Sequence, residues 1–417
     1  MGARAQRVRK TRLIPPEQAL SEILSRCSLQ PVEKVSLDRA LGRVLARPLR
    51  ADGDLPPADR STMDGYAVRA SDLASAPCEL KRVGEVATGS KSRRRVEPGT
   101  CIRILTGANV PPRADAVAIV ETTIEVGRGI VRFQSGVGRG DNVLPRGSIA
   151  RKGQVLMKRG TRLDAPQIAL CAAIGADPAP VFAQVRVGVL CTGEELTAPK
   201  ARAARHAQRD SNGPALLAAL AASGLAECKS HGIVGDRLPA LRSKIKKALK
   251  TCDVLLISAG VSVGKYDLVP RVVKDLGCRT IFHGVRMKPG KPLLFAIGPA
   301  KQLVFGLPGK PLSSLTAFYE FVAPATRKMS GMETCEPITI RVRLLRAVTN
   351  RSGRVLFAPA QLHLSSSDGM PSAVAVEWQG SDDVVSGARC QGVVVLPEQR
   401  EYNAGDLVEF HPWGAIA

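Results

Sequence analysis

Apolar positions along this chain follow two different rhythms. Between about residues 185 and 329, short aliphatic runs alternate with segments in which apolar residues recur every three or four positions. The runs at 185–190 and 254–257 read as buried strands. The stretch 239–250 reads as an amphipathic helix: Leu238, Leu241, Ile245 and Leu249 take one face, and Lys244, Lys246, Lys247 and Lys250 the other. Pro214 opens an earlier helix that Gly224 closes, and a helix over 268–276 stops at Gly277. Strand-like runs at 280–282 and 303–305 then precede a helix from Leu312 into the 320s. This strand-helix alternation predicts a parallel sheet with helices on both faces.

Elsewhere the rhythm shortens. Apolar runs at 101–105, 116–120 and 130–133 are punctuated by Pro and Gly, which predicts a separate β-rich domain across 78–133. Helices are expected over 16–26 and 164–174. Alternating strands return after Gly331, at 338–344, 374–377, 392–396 and 407–410. The fold class is therefore multidomain α/β plus β. Its expected parts are a basic arm (1–12), a discontinuous helical and linker domain (13–50 and 140–182) and an inserted β-rich domain (51–139). An α/β domain (183–330) with a parallel-rich sheet and a small β-barrel-like domain (331–417) complete it.

At 417 residues the chain exceeds a single core. No run reaches the roughly 18 apolar residues of a membrane span. The first dozen residues hold five Arg and Lys with no apolar segment behind them, so a secretory leader is not expected and the cytoplasm is. The ten cysteines are widely scattered, the closest pair being Cys171 and Cys191, and the five histidines form no spaced pair; reduced core thiols are expected, not a zinc framework. The 60 Lys and Arg against 37 Asp and Glu leave a net charge of +23. The excess clusters in the N-terminal arm and at 91–95, 200–209 and 242–250. These patches attract phosphates in general. They lack interleaved aromatics and match no nucleic-acid module, so nucleic-acid binding is not expected.

Three Gly-rich loops hold the chemistry: Ser258-Ala259-Gly260-Val261-Ser262-Val263-Gly264, Lys288-Pro289-Gly290-Lys291-Pro292 and Gly306-Leu307-Pro308-Gly309-Lys310-Pro311. Each follows an apolar run. Together they offer bare backbone N–H groups and lysines to one place, as an α/β domain does when it seats a polyanion. Five further segments stand out: Ser61 to Ala67 around Asp64, Ile104 to Pro111 around Thr106, Cys191 to Leu196 with Glu195, Asp210-Ser211-Asn212, and Gly264 to Asp267.

In this order, from about Ile14 to the C-terminus, the eight segments resemble the molybdopterin molybdenumtransferase family, MoeA and the E domain of gephyrin. The resemblance implies insertion of molybdate into adenylylated molybdopterin with Mg²⁺, releasing AMP and molybdenum cofactor. It implies a homodimer whose cleft lies between the α/β domain of one subunit and β domains of the other, and a molybdopterin adenylyltransferase or molybdoenzymes as partners. Ser262, Lys288, Lys291 and Pro292 match positions near molybdate. Gly260, Val261, Gly264, Pro308 and Gly309 belong to the loops that would hold the phosphates. Ser381, in the last domain, matches a polar position there, although serine in a turn is common.

Glu195 and Asp267 follow glycine loops, where carboxylates bind Mg²⁺ or orient a water beside phosphates. Asp236 matches a family carboxylate and is equally placed to cap the helix beginning near Pro239. Asp64 sits in a tight turn; the resemblance makes it a cleft residue reaching across the dimer. Thr106 suits phosphate through its hydroxyl and backbone N–H. Asp210 precedes a helix as a cap or a ligand contact.

Four positions depart from the family pattern: Ile149 replaces an Asp, Gly284 a basic residue, Lys310 an Asn, and Pro359 an arginine of the last domain. A second reading, a paralogue that binds molybdopterin or the cofactor as carrier or scaffold without efficient insertion, rests on these four.

Overall fold

Alternation of strand and helix between residues 185 and 329 builds a six-stranded sheet. The computed structural model describes residues 13–90, 94–202, 204–262, 267–364, 369–398 and 400–414. The strands are β1 (Val185–Thr192), β2 (Ala226–Val234), β3 (Val254–Ser258), β4 (Arg279–His283), β5 (Leu294–Ile297) and β6 (Leu303–Leu307), in the order β2-β1-β3-β6-β5-β4. The first four of that order are parallel. β5 runs antiparallel to both β6 and β4. The sheet is thus parallel-rich, not wholly parallel. The rhythm of the sequence passes over Leu294–Ile297 because a hairpin, without a helix, joins it to β6.

Side chains alternate across the sheet. Val254 and Leu256 face one cluster with the helices α1 (Pro16–Leu24), α2 (Asn212–Ser223), α5 (Pro311–Ala317) and α6 (Ala323–Met329). Leu255 and Ile257 face another with α3 (Leu238–Leu249) and α4 (Val269–Asp275). In α3, Leu241, Ile245 and Leu249 are buried and Lys244, Lys246, Lys247 and Lys250 exposed. That division follows the 3.6-residue period of the sequence. A π-helical turn, Phe318–Val322, separates α5 from α6.

Five strands, Ile340–Leu344, Val355–His363, Ser372–Ala375, Gly392–Leu396 and Leu407–Pro412, close into a barrel. Closure comes from Val355–His363 pairing with both Ser372–Ala375 and Gly392–Leu396. A two-residue strand, Met287–Lys288, adds in parallel to Val355–His363 and ties the loop after β4 to the barrel. A short helix, α7 (Val384–Ala388), crosses between barrel strands with Asp383 accepting from the Ser386 N–H as its cap.

The chain divides into two compact units. One comprises Met1–Arg47, Arg159–Ile168 and Pro178–Ala417; the other comprises Pro48–Lys158 and Ala169–Asp177. The second has its own six-stranded sheet, ordered Ala116–Ile119, Gly65–Val68, Thr100–Ile104, Cys78–Val86, Ile130–Phe133, Thr123–Gly127. Tyr66 and Phe133 meet edge to face in its core. All ten cysteines are free. Among the described residues no helix is long and apolar enough to cross a membrane.

Candidate active site

Strand direction decides where the loops meet. β1, β3, β4 and β6 all end at the same edge of the sheet, so the segments that follow them share one cleft of about 580 Å³. Its walls include Glu195 after β1, Ser258 and Ser262 after β3, Lys288, Lys291 and Pro292 after β4, and Pro308, Gly309 and Lys310 after β6. A β5 strand intervenes between β4 and β6, so the lysine loop is two strands from its neighbour and not adjacent to it. The Met287–Lys288 pairing with the barrel, not sheet adjacency, brings it to the cleft.

The floor is stitched by buried polar groups. Asn212, at the start of α2, donates its amide to Ser258 Oγ at 2.9 Å and to the Gly309 carbonyl at 2.6 Å. One side chain thereby joins the ends of β3 and β6 to α2. Asp210 is buried and accepts from the Gly213 N–H at 2.9 Å, so it works as a capping group while also lining the cleft. Ala259 adopts φ 76°, a left-handed conformation that costs a non-glycine residue about 1 kcal/mol or more. Gly309 lies so near it that a Cβ there would come within 2.9 Å of the Ala259 Cβ. Only glycine permits these two loops to touch.

The rim is cationic and open. Lys288 and Lys291 are exposed, and among the described residues neither has an ionic or hydrogen-bonding partner. Arg354 arrives from the barrel side, its Nη1 3.3 Å from the Met287 carbonyl, and joins Arg209 and Lys310 as a further cation of the cleft. Sequence reasoning missed Arg354 and Asn212. The first depends on long-range pairing of Val355–His363 with Met287–Lys288, and the second lay in a segment already singled out for Asp210. Ser381 also lines the cleft, and its carbonyl accepts from the Leu312 N–H.

Other expected site residues lie differently. Val261 is buried, packed in the core with α3 and α4, and its carbonyl engages His283 Nε2 at 2.6 Å; it lends the cleft no side chain. Asp236 does not cap α3, whose N-cap is Arg237. Its carboxylate instead accepts from the Thr192 hydroxyl at 2.7 Å, outside the cleft walls. Gly264 lies outside the described residues; Asp267, which is described, is not among the residues that line the cleft. Asp64 and Thr106 belong to the smaller unit, where they bind each other. Thr106 gives both its backbone N–H and its hydroxyl to Asp64 Oδ1, each at 2.7 Å. Those two donors are therefore engaged with a carboxylate and not open to phosphate. They hold the exposed Asp64 carboxyl below the usual carboxylate range.

Residues 14–175 match the MoeA N-terminal region (domain I and II), 188–328 a probable molybdopterin binding domain and 341–413 the MoeA C-terminal region (domain IV). Molybdopterin molybdenumtransferases of Staphylococcus aureus and of Nostoc sp. are 31% and 34% identical to this chain. The first alignment covers 96% of both chains, the second 89% of this one and 86% of the other. The solved structure of the molybdopterin biosynthesis moea protein from Pyrococcus horikosii is similar over 97% of this chain and 100% of that one, with 32% identity and a TM-score of 0.83. The chain belongs to the molybdopterin molybdenumtransferase family.

Three of the four departures from the pattern of molybdopterin molybdenumtransferases lie off the cleft walls. Gly284 is buried at φ 108°, with the Leu13 side chain where a Cβ would point, so the backbone there accepts no basic side chain without strain. Pro359 is buried within the barrel, paired opposite Val393. Ile149 belongs to the smaller unit and is 66% exposed, which excludes a packed core role for it. Lys310 alone lines the cleft, and its ammonium is 2.5 Å from Asp382.

Proposed function

We propose that this molybdopterin molybdenumtransferase inserts molybdenum from molybdate into adenylylated molybdopterin and releases AMP, with Mg²⁺ at the pyrophosphate. The observation that carries the reading is the convergence of Lys288, Lys291 and Arg354 on one cleft floored by strand-end loops. Breaking the anhydride P–O bond puts charge on the departing phosphate, and fixed cations offset that charge without reorganising. Lys288 and Lys291, with Ser262 and Pro292, hold molybdate, a compact dianion. Gly260, Pro308, Gly309, Ser381 and Arg354 hold the phosphates, and Asp210 keeps the adjoining helix start in place.

One carboxylate of the cleft suits Mg²⁺. Glu195 lies on the cleft with its carboxylate folded over Gly193, where a Cβ would come within 2.7 Å of Oε1. Mg²⁺ takes one or two carboxylates and completes its shell from phosphates and water. Glu195, on the cleft wall, is the carboxylate placed to hold it, whereas Asp267, its companion in the sequence pattern, does not line the cleft; when bound, the ion would neutralise phosphate charge. Asp236 positions Thr192 at the end of β1. Asp64 reaches a cleft of a partner copy in a homodimer. The chain works in the cytoplasm, downstream of an adenylyltransferase that supplies its substrate and upstream of the molybdoenzymes that take its product.

The test mixes pure protein, adenylylated molybdopterin, Mg²⁺ and a molybdate series, following AMP release and cofactor formation together. Lys288→Ala and Lys291→Ala should each raise the half-saturating molybdate concentration by about tenfold or more, while AMP affinity changes less. An unchanged molybdate dependence in both variants removes them from the oxyanion site.

A further inference from the structure

Two loops supply the residues assigned to molybdate: Ser262 follows β3, and Lys288 and Lys291 follow β4. Those strands are not neighbours, because β6 and β5 stand between them. Three inter-strand spacings amount to roughly 14 Å. The three residues from Ser258 to Val261 span at most about 10 Å. A side chain closes the gap. His283, the last residue of β4, places its Nε2 2.6 Å from the Val261 carbonyl oxygen. A carbonyl only accepts, so the ring donates and Nε2 carries the hydrogen.

Both ends of this bond are held. On one side the Ala259 N–H bonds to the Leu307 carbonyl at the end of β6. The Val261 side chain is buried against Gly306, where a Cβ would come within 2.6 Å of its Cγ1. Ser262, the next residue, is exposed on the cleft wall. On the other side the chain leaving His283 closes on itself. The Gly284 N–H bonds to the Leu293 carbonyl at 2.8 Å, and the Val285 N–H to the Lys291 carbonyl at 2.9 Å. The lysine loop is thereby a closed unit that begins at His283. Water is enough to satisfy a carbonyl at a sheet edge; a ring from the third strand along also fixes a distance.

We propose that His283 is a positioning residue of the oxyanion site, its bond to the Val261 carbonyl setting the spacing between Ser262 and the two lysines. The proposal rests on the reading of those three residues as the molybdate site. His283 does not line the cleft, so it acts through the two loops and not on the substrate. A compact dianion needs all its donors within reach at once, and a drift of about 1 Å in one loop is costly to it. Groups that bind elsewhere along the cleft feel that drift less.

The experiment compares wild type, His283→Ala, His283→Gln and Lys291→Ala in the coupled assay of AMP release and cofactor formation. His283→Ala should raise the half-saturating molybdate concentration about three- to tenfold, with turnover at saturating molybdate within about threefold. His283→Gln, whose amide nitrogen stands about where Nε2 does, should return the molybdate requirement to within about twofold of wild type. His283→Met, which fills the volume without a donor, replaces the alanine variant should that one not fold. In the wild-type chain, ¹⁵N-histidine spectra should show the His283 ring as the Nε2–H tautomer, its signal assigned by its loss in His283→Gln. An Nδ1–H tautomer overturns the proposal. So does a donor-less variant with wild-type molybdate dependence while Lys291→Ala is impaired, and that outcome leaves the molybdate site intact. A glutamine variant as impaired as the donor-less one, or a loss confined to turnover, makes His283 a packing residue and overturns the proposal as well. If Lys291→Ala too keeps the wild-type molybdate dependence, the reading of the site falls and the proposal with it.

Discussion

Two regions of the larger unit carry buried or concave charge, and they treat it in opposite ways. Around the π-helical turn, a recess of about 360 Å³ contains Glu320, His411 and Arg327. Glu320 is 5% exposed and holds His411 Nδ1 at 2.9 Å, while Arg327 gives Nε and Nη2 to the Cys335 and Glu336 carbonyls. Every charge there has a partner from its own chain. At the strand-end cleft, Lys288 and Lys291 have none among the described residues. Paired charge in a recess is structure, and unpaired like charge around a cleft is a site prepared for an anion. Volume alone would not separate them.

The sharpest way to break this comparison is to remove a charge from each region and measure stability by urea unfolding. Glu320→Ala should cost about 2–4 kcal/mol, since it strips a buried charge-assisted bond and leaves a void. Lys288→Ala, at an exposed position, should stay within about 0.5 kcal/mol. A destabilised Lys288→Ala would mean that the rim lysine holds the fold and would erase the distinction.

The floor of the cleft is the predicted exception, because it belongs to the site and yet is built like the recess. Asn212→Ala leaves the Gly309 carbonyl and the Ser258 hydroxyl without their shared donor. The expected loss is about 2 kcal/mol of stability, together with a fall in turnover as the loops after β3 and β6 part. Loss of turnover with unchanged stability would make Asn212 a ligand contact instead of a brace.

How much of this was legible beforehand depended on sequence distance. The loops around Ser258, Lys288 and Gly309 are contiguous motifs, and the periodicity of 239–250 was enough to set α3 within a residue at each end. The barrel strands were located at four of five positions, while the nine-residue strand Val355–His363 was passed over. With it went Arg354, because only the pairing of that strand with Met287–Lys288 brings the arginine to the cleft. The role of Asp236 was undecidable for the same reason. Its partner, Thr192, is 44 residues away on a different strand, and no local pattern announces a hydroxyl at that distance. Ile149 shows the converse limit: an isoleucine reads as core, and burial follows from tertiary context that the residue type does not contain.

A smaller effect separates the regions by pH. Burial disfavours the charged His411 ring, but Glu320 and Glu409 outweigh it and raise its pKa above the ordinary histidine value. A raised folded pKa adds stability that is fully present below the unfolded value near 6.5 and is lost as pH rises through the folded one. Unfolding free energy should therefore decline through that window, by at most about 1.4 kcal/mol per pH unit for one proton. In Glu320→Gln burial should win, the ring should resist protonation, and stability should instead be lost as pH falls below about 6.5. An identical slope in both proteins would show that His411 does not titrate against Glu320.

The smallest expected effect tests the one departure that touches the cleft. Lys310 and Asp382 are both well exposed, so their 2.5 Å ion pair is screened by water and salt despite its geometry. Lys310→Asn and Asp382→Asn should each shift stability by less than about 1 kcal/mol, and the coupling in a double-mutant cycle should shrink further at high salt. Because Asp382 occupies the ammonium, Lys310 offers less free charge to an anion than Lys291 does. Lys310→Asn should therefore raise the molybdate requirement far less than Lys291→Ala, the two being assayed side by side. If Lys310→Asn proves as damaging as Lys291→Ala, the Asp382 contact is broken when substrate arrives. Lys310 would then be a further working cation of the site, held back by Asp382 until an anion displaces it.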